Sequence, residues 1–169
     1  MADIEQRVAR LENRAMIEDL VVRYFLAADG DDLAGVGDSF TDDATFSSSG
    51  TLNATGRTGI VDFIGAARQH MGLTVHTPHY VLCRFHDADR ASGLVGAHLE
   101  LVLAGQSLFG AVRYEDDYVR GPDGWRISRR DMRTIHIAPW AEVGEAFASD
   151  LPVRWPAVNP LPSDYPRTR

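Results

Sequence analysis

The stretch Tyr24-Phe25-Leu26-Ala27-Ala28-Asp29-Gly30 has the pattern of the last turns of a long helix that ends at a glycine. Four residues in and beside it are spaced i, i+3, i+4 and i+7 and so share one helical face: Val22, Phe25, Leu26 and Asp29. A carboxylate on an apolar face is costly to bury unless another group compensates its charge. Asp29 therefore either faces water at the helix end or has a partner elsewhere in the chain.

The candidate partner lies in Val75-His76-Thr77-Pro78-His79-Tyr80. Our hypothesis is that Asp29 and His79 form a general-base dyad in a mostly apolar pocket. His76 and His79 are three residues apart, so a regular strand points them to opposite faces, which makes a poor chelate, and we expect no metal site. We expect His79 to point inward, with His76 and Tyr80 turned away from the pocket.

Helical patterns occupy the first part of the chain. The first helix is predicted over 3–29, with Asp3 as N-cap and with initial turns that stand off the core as an arm used for assembly. A second helix over 31–40, capped by Asp31 or Asp32, and a third over 58–71, capped by Thr58, follow it. Between them we expect a turn at 41–43, a short strand at 44–47, and a second strand after Ser48-Ser49-Gly50.

The second half of the chain is β-rich. Long strands are predicted over 75–85, 93–103, 106–120 and 125–137; Pro78 marks the first as irregular or as a sheet edge, and Gly121-Pro122-Asp123-Gly124 is a hairpin turn. Helices followed by an antiparallel meander predict an α+β fold. We expect one domain over 1–140 and a tail over 141–169, in which a short helix at 141–148 precedes a proline-rich extended or disordered segment.

Composition excludes several function classes. The 169 residues carry a net charge of -7, and the 17 basic residues, all arginine, are scattered, so nucleic acid is not an expected partner. Cys83 is the only cysteine, which excludes a disulfide framework or a thiolate cluster. No apolar run approaches the ~20 residues of a membrane span, so we expect a cytoplasmic protein. Because no Walker, G-x-G-x-x-G, H-E-x-x-H or G-x-S-x-G motif occurs, we expect neither a nucleotide cofactor nor serine hydrolysis.

Two further residues depend on strand register. In the last strand, Trp125 and Ile127 mark the core face, which turns Arg130 outward unless a bulge after Ser128 reverses the alternation. His98, between Ala97 and Leu99, is either a structural histidine or a pocket residue, depending on whether it faces the same cavity as His79. Tyr24, about a turn and a half before Asp29, can look into that cavity or be an ordinary core tyrosine.

The chain resembles the SnoaL-like branch of the nuclear-transport-factor-2-like superfamily, and within it the lyases that include scytalone dehydratase, bile-acid 7α-dehydratase and hexachlorocyclohexane dehydrochlorinase. Tyr24-Phe25, three residues and Asp29-Gly30 match the dehydratase pattern, and His79-Tyr80 matches the dehydrochlorinase pair. Arg130, in Trp-Arg-Ile-Ser-Arg-Arg, falls where that enzyme has its pocket arginine. The resemblance spans about residues 5–137.

The resemblance implies a cone-shaped, half-open barrel with the pocket between its sheet and first helices. It implies β-elimination of water or halide from a hydrophobic ring compound without a cofactor, with Asp29 and His79 as catalytic dyad, in a homo-oligomer (trimer or dimer). Tyr24, His98 or Arg130 would assist the leaving group or polarise a carbonyl, and the expected wall residues are Phe25, Phe63, Val112 and Met132. The alternatives are an isomerase or polyketide cyclase, a non-catalytic small-molecule binding protein, and a ring-hydroxylating dioxygenase β-subunit.

Overall fold

A computed structural model describes residues 3–156 and 159–166 of the chain. Its helices and strands are, in chain order, α1 (Ile4–Asp29), α2 (Leu33–Asp38), β1 (Phe40–Ser48), β2 (Thr51–Thr55), α3 (Arg57–Arg68), β3 (Met71–Phe85), β4 (Arg90–Leu103), β5 (Gln106–Gly121), β6 (Gly124–Pro139), a 3₁₀ turn (Trp140–Glu142) and α4 (Val143–Ala148).

The strands form one curved sheet in the order β2-β1-β6-β5-β4-β3. Every neighbouring pair is antiparallel except β1 with β6, which is parallel. The N-terminal helices cover one face of this sheet, which does not close into a barrel. The predicted α+β cone is therefore confirmed, and β3, which carries Pro78, lies at a sheet edge as predicted.

Helix α1 begins and ends where the sequence predicts. The carboxylate of Asp3 accepts a hydrogen bond from the Ile4 backbone N–H at 2.6 Å, and the helix ends at Asp29. The left-handed residue after it is Asp31 (φ 58°), whereas Gly30 has φ -90°. Residues 4–12 are all exposed, so the first turns stand off the core.

The predicted buried face of α1 is wrong in part. Val22 and Leu26 are 43% and 67% exposed, whereas Tyr24 and Phe25 are buried. The helix packs against both α2 and the sheet, and the stripe that serves both passes through Ile17, Leu20, Val21, Tyr24, Phe25, Ala27 and Ala28. Asp29 lies at the edge of that stripe, partly buried, which leaves its carboxylate within reach of the sheet.

Three predicted boundaries shift. Helix α2 is shorter than predicted and is capped by Asp32, whose side chain accepts from the Gly35 N–H at 2.9 Å. Helix α3 starts at Arg57, after Gly56 with φ +77°, and not at Thr58. The predicted turn at 41–43 lies inside β1, where pairing with β6 is interrupted between Phe40 and Thr45.

A bulge in β6 decides the centre of the core. Tyr118 of β5 lies opposite Ile127, and Asp117 lies opposite Arg129, so Ser128 is an extra residue between them. Ile127 and Arg130 consequently both face inward, and both are 0% exposed. The predicted alternative, in which a bulge turns Arg130 inward, is the arrangement that the structure adopts.

The buried Arg130 guanidinium is paired on several sides. It donates to both carboxylate oxygens of Asp116, at 2.8 and 2.7 Å, and the Tyr118 hydroxyl donates to the same carboxylate at 2.8 Å. The rings of Tyr24 and Tyr114 lie 4.2 and 4.7 Å from the guanidinium carbon. Burial lowers the pKa of Arg130, but the Asp116 carboxylate outweighs it and raises the pKa overall, so the pair stays ionised.

The C-terminal segment returns to the sheet. The predicted short helix at 141–148 appears as the 3₁₀ turn and α4. Val153 then forms a parallel bridge with Ile137 and an antiparallel bridge with Leu161. The predicted proline-rich extended segment lies partly outside the described residues, because 157–158 and 167–169 are not among them. Within the described residues, no helix combines the length and apolar character that crossing a membrane requires.

We expect Asp116→Ala to lower the free energy of unfolding by about 3–5 kcal/mol, because it leaves the Arg130 charge buried without a partner. Asp117→Ala is the matched control, since the neighbouring carboxylate is half exposed and meets Arg129 only at 3.5 Å; it should cost at most about 1 kcal/mol. Chemical denaturation of both variants measures the difference. Equal losses would show that the buried pair does not hold the core.

Candidate active site

Asp29 binds His76 through both its ring and its backbone. The Asp29 Oδ1 atom lies 2.6 Å from His76 Nδ1, and Oδ2 accepts the His76 backbone N–H at 2.7 Å. The helix end therefore fixes both the position of strand β3 and the orientation of the imidazole. Both side chains are mostly buried, at 19% and 14% exposure.

The contact with Asp29 also selects the tautomer of the imidazole. A carboxylate only accepts hydrogen bonds, so Nδ1 of His76 must carry the proton that points at Asp29. In the neutral ring this leaves Nε2 as an acceptor with its lone pair available. No described residue forms a hydrogen bond with Nε2, and His76 lines a cavity, so the pair has the arrangement of a general base and its orienting carboxylate.

The electrostatics keep Asp29 ionised. Burial on its own raises the pKa of Asp29, but the hydrogen bonds from the His76 ring and backbone outweigh it, and the pKa is lowered overall. Thr74 contributes a further lowering of this pKa. The Thr74 hydroxyl in turn accepts from Arg68 Nη1 at 2.6 Å, and Arg68 Nε binds Asp31 at 2.5 Å. The first helix, the third helix and β3 are thus joined by one polar network beside the imidazole.

The imidazole is also held by ring packing. Phe25 stacks on His76 with ring centroids 4.8 Å apart and an interplanar angle of 8°. Phe25 in turn contacts the ring of Tyr114 at 5.4 Å. Phe25 is 2% exposed, so its buried ring packs against one face of the imidazole and favours the observed orientation.

The cavity beside His76 has a volume of about 260 Å³ and is mostly apolar. It lies between α1, α3 and the inner face of the sheet, with lining residues from every layer: Tyr24, Ala28, Phe46, Phe63, Ile64, Ala67, Arg68, Met71, Thr74, His76, Leu99, Leu101, Val112, Tyr114, Met132, Thr134, Ile137, Trp155 and Pro156 among them. Its size is at the low end of the range for small-molecule sites, roughly 300–1,000 Å³. It suits a small ligand.

Several predicted pocket residues meet at this cavity. Tyr24, Phe63, Val112 and Met132 line it, and Phe25 stacks on the histidine that does. Arg130 lies underneath, against the ring of Tyr24, and its Nη1 atom has no hydrogen-bond partner among the described residues. Burial raises the pKa of the Tyr24 hydroxyl, although the Arg130 charge partly offsets this, so the hydroxyl keeps its proton.

The predicted contact between Asp29 and His79 is wrong: His79 is exposed on the outer face of the sheet, and His76 is the inward histidine. The pairing of β3 with β4 passes from Pro78–Ala97 to Tyr80–Gly96 and skips His79, which is a bulge. Val81, two residues after His79, faces the core. In a strand without a bulge, His79 would therefore also face the core, as predicted. The bulge shifts the alternation by one residue.

His98 does not face the pocket either. It lies opposite Ala111 on the outer face of the sheet, with its ring 4.2 Å from that of His79 and 5.3 Å from that of Phe109. Its neighbours Ala97 and Leu99 are buried, and period-two alternation therefore turns His98 outward.

His76, Thr74, Arg68 and Trp155 were not among the predicted site residues. Nothing in the local sequence places His76, Arg68 or Trp155 at the pocket. The alternation of polar Thr74 and His76 with apolar Val75 would by itself turn Val75 inward, whereas Thr74 is 4% and Val75 38% exposed. In residues 3–156 and 159–166, no three His, Cys, Asp or Glu side chains are grouped so that they could bind a metal ion.

Residues 9–131 match the SnoaL-like domain family. An uncharacterized protein of Mycobacterium tuberculosis is 35% identical over 130 residues, which cover 73% of this chain and 86% of that protein. The gamma-hexachlorocyclohexane dehydrochlorinase of Sphingobium indicum is 27% identical over 146 residues, 85% of this chain and 91% of the enzyme.

Solved structures agree with this match. The crystal structure of LinA is similar with a TM-score of 0.74 and 26% identity, covering 80% of this chain and 94% of that chain. A putative scytalone dehydratase from Novosphingobium aromaticivorans also has a TM-score of 0.74, at 18% identity, over 79% of this chain and 91% of that chain. The second likeness shows the fold alone.

Asp29→Asn should change how stability depends on pH. Because the folded-state pKa of Asp29 is lowered, its ionisation stabilises the fold above the ordinary carboxyl pKa, and this contribution is lost as pH falls through the lowered value. We therefore expect the gap in unfolding free energy between the native chain and Asp29→Asn to shrink between pH 6 and pH 3. Urea titrations at both pH values measure it, with Asp19→Asn on the exposed face of α1 as control. A gap independent of pH would contradict the ionised contact.

Proposed function

Because the chain belongs to the SnoaL-like domain family and pairs Asp29 with His76 beside an apolar cavity, we propose that it is a cofactor-independent lyase. The reaction is β-elimination of water or halide from a small, hydrophobic ring compound. The observation that carries the proposal is the 2.6 Å contact between Asp29 Oδ1 and His76 Nδ1, which leaves Nε2 of a cavity-lining imidazole as the acceptor.

In the proposed reaction, Nε2 of His76 removes a proton from a ring carbon. The electron pair of the broken C–H bond forms a carbon–carbon double bond, and the leaving group departs from the adjacent carbon with the electrons of its own bond. Asp29 holds the imidazole in the required tautomer and stabilises the imidazolium that forms. Because Asp29 also binds the His76 backbone, the base is oriented before the substrate arrives.

Tyr24 is the proposed donor to the leaving group. It lines the cavity, its hydroxyl keeps its proton, and the Arg130 guanidinium beneath its ring supplies a fixed positive charge beside the site. A positive field and a hydroxyl donor stabilise negative charge that develops on a departing hydroxide or halide. Arg130 would act through its charge and not by direct contact, since its Nε and Nη2 atoms donate to Asp116.

The dehydrochlorinase relative favours a chlorinated ring substrate. An isomerase or cyclase would need the same base and no leaving group, and the protonated hydroxyls of Tyr24 and Tyr114, whose pKa values are both raised by burial, suit polarisation of a carbonyl. This is the second candidate function.

We further propose that the chain forms homo-oligomers through the exposed first turns of α1. Ile4, Val8 and Leu11 are 62%, 46% and 68% exposed and are spaced i, i+4 and i+7, so they form an apolar stripe that no described residue buries. These turns are exposed, although the Arg10 guanidinium lies 5.6 Å from the Phe85 ring centroid. A short exposed helix is marginal in water, and a second copy of the chain would cover its apolar stripe.

We expect sedimentation to show an oligomer at micromolar concentration and Ile4→Glu with Leu11→Glu to dissociate it. Glu5→Gln with Glu12→Gln, on the same turns, is the control and should leave the assembly intact. A native chain that sediments only as monomer would refute the proposal.

We expect His76→Ala to lower turnover by ~10²–10⁴-fold, which is the usual contribution of a positioned general base. Asp29→Asn should cost a similar order, because it removes the charge and permits the wrong tautomer. His79→Ala is the matched control: it removes a histidine of the same strand that points away from the cavity, and turnover should stay near native. Turnover is measured as chloride released from hexachlorocyclohexane, or as the dehydrated product formed from hydroxylated ring compounds.

The same assay in D₂O separates the two candidate functions. An elimination releases the leaving group and forms a new double bond, whereas an isomerase introduces deuterium into a product that keeps all its substituents. Native turnover in both His76→Ala and Asp29→Asn, with folding intact, would reject this pair as the catalytic base for either reaction.

A further inference from the structure

The C-terminal segment forms one wall of the cavity. After α4 the chain returns to the end of β6, where the Arg154 backbone N–H donates to the Ile137 carbonyl at 2.7 Å. The next two residues, Trp155 and Pro156, then line the cavity that contains His76. The family match ends at residue 131, so this wall comes from a part of the chain outside the matched domain.

Contacts on both sides hold Trp155 in place. Before it, Arg154 forms ion pairs with Glu145 and Glu142 at 3.1 and 3.4 Å. After it, the Asp164 carboxylate accepts from the Thr134 backbone N–H at 2.7 Å and from the Ser49 hydroxyl at 2.6 Å. These anchors link the segment to β6 and to the turn after β1.

Tyr165 adds a further anchor. Its hydroxyl donates to Glu115 at 2.6 Å, and the Arg113 guanidinium lies 4.5 Å from its ring centroid. The segment is thus bound to β5 as well as to β6, and the position of Trp155 is set by the sheet and not by the segment alone.

Trp155 is not a core tryptophan. It is only partly buried, and it packs against an apolar cluster formed by Leu99, Leu101, Leu108, Ile137 and Val153. Trp125, in contrast, is 5% exposed and donates to Asn13 at 2.9 Å. A large indole that lines a cavity and is left partly exposed has apolar surface still to bury, and a ligand in the cavity can bury it.

We propose that Trp155 is a specificity-determining residue that contacts the substrate ring in the cavity that His76 also lines. Its indole supplies apolar contact surface on the wall formed by the C-terminal segment, which favours compact, apolar ring compounds. This inference rests on the proposed function, because it assigns the binding half of the same site. Since the contact is equally present in substrate and transition state, it should affect KM and leave kcat nearly unchanged.

The test separates binding from chemistry. Binding of hexachlorocyclohexane and of 2-naphthol, two neutral ring probes, is measured by calorimetry in a His76→Ala background, where turnover does not interfere. We expect Trp155→Ala to raise the Kd of whichever probe binds by about 10-fold or more, and Trp155→Phe to restore most of the affinity. Trp140→Ala is the matched control, since Trp140 is 62% exposed and does not line the cavity.

A second variant tests the anchoring of the segment without changing a side chain that lines the cavity. Asp164→Ala removes the contacts with Thr134 and Ser49, and we expect it to weaken binding in the same direction as Trp155→Ala. Circular dichroism confirms that each variant is folded; if Trp155→Ala is not, Trp155→Leu takes its place.

The outcomes distinguish this proposal from the proposed function. Unchanged affinity in folded Trp155→Ala or Trp155→Leu would overturn it, as would failure of both ring probes to bind the His76→Ala protein. Binding that depends on Trp155, together with no elimination by the native chain, would support Trp155 as a ligand contact and reject the lyase. In an active native chain, a fall in kcat with no change in KM for Trp155→Ala would also overturn it.

Discussion

The ion pair between Arg130 and Asp116 is the interaction on which the rest of the structure depends. It lies at 0% exposure in the centre of the core, and two buried charges are tolerated only when their geometry is close to ideal and their remaining hydrogen-bonding groups are occupied. Most of that requirement is met. Arg130 and Asp116 share two parallel hydrogen bonds, the Tyr118 hydroxyl donates to the carboxylate, and two tyrosine rings pack against the guanidinium.

This pair links the stability of the core to the cavity. Tyr24 and Tyr114 pack against the guanidinium and also line the cavity, so the ion pair supports the floor of the site. The Nη1 atom of Arg130 has no hydrogen-bond partner in the described part of the chain, which is a local cost in stability. A positive charge with unused hydrogen-bonding capacity beneath an apolar cavity is useful where negative charge develops, and this is how the proposed elimination would use it.

Irregular strand pairing, more than strand composition, selects the inward side chains. The extra residue Ser128 turns Arg130 into the core, and the bulge at His79 turns both His79 and Tyr80 outward. Tyr80 then lies across Gly96, where a Cβ would be 2.3 Å from its ring. This packing needs a glycine on β4, and it stabilises the register that leaves His76 facing Asp29.

The sequence by itself determined the order of helices and strands, the α+β class, the helix end at Asp29 and the hairpin at 121–124, and it named a few of the cavity residues, Tyr24, Phe63, Val112 and Met132. These follow from periodicity, capping and turn chemistry, which act over a few neighbouring residues. Only the tertiary structure decided that His76 and not His79 meets Asp29, that Arg130 faces inward, and that Trp155 lines the cavity. A bulge reverses the facing of every later residue in its strand, and the position of the bulge depends on pairing with a distant strand. The path of the C-terminal segment likewise depends on contacts with Ser49 and Glu115, which are far from it in the chain.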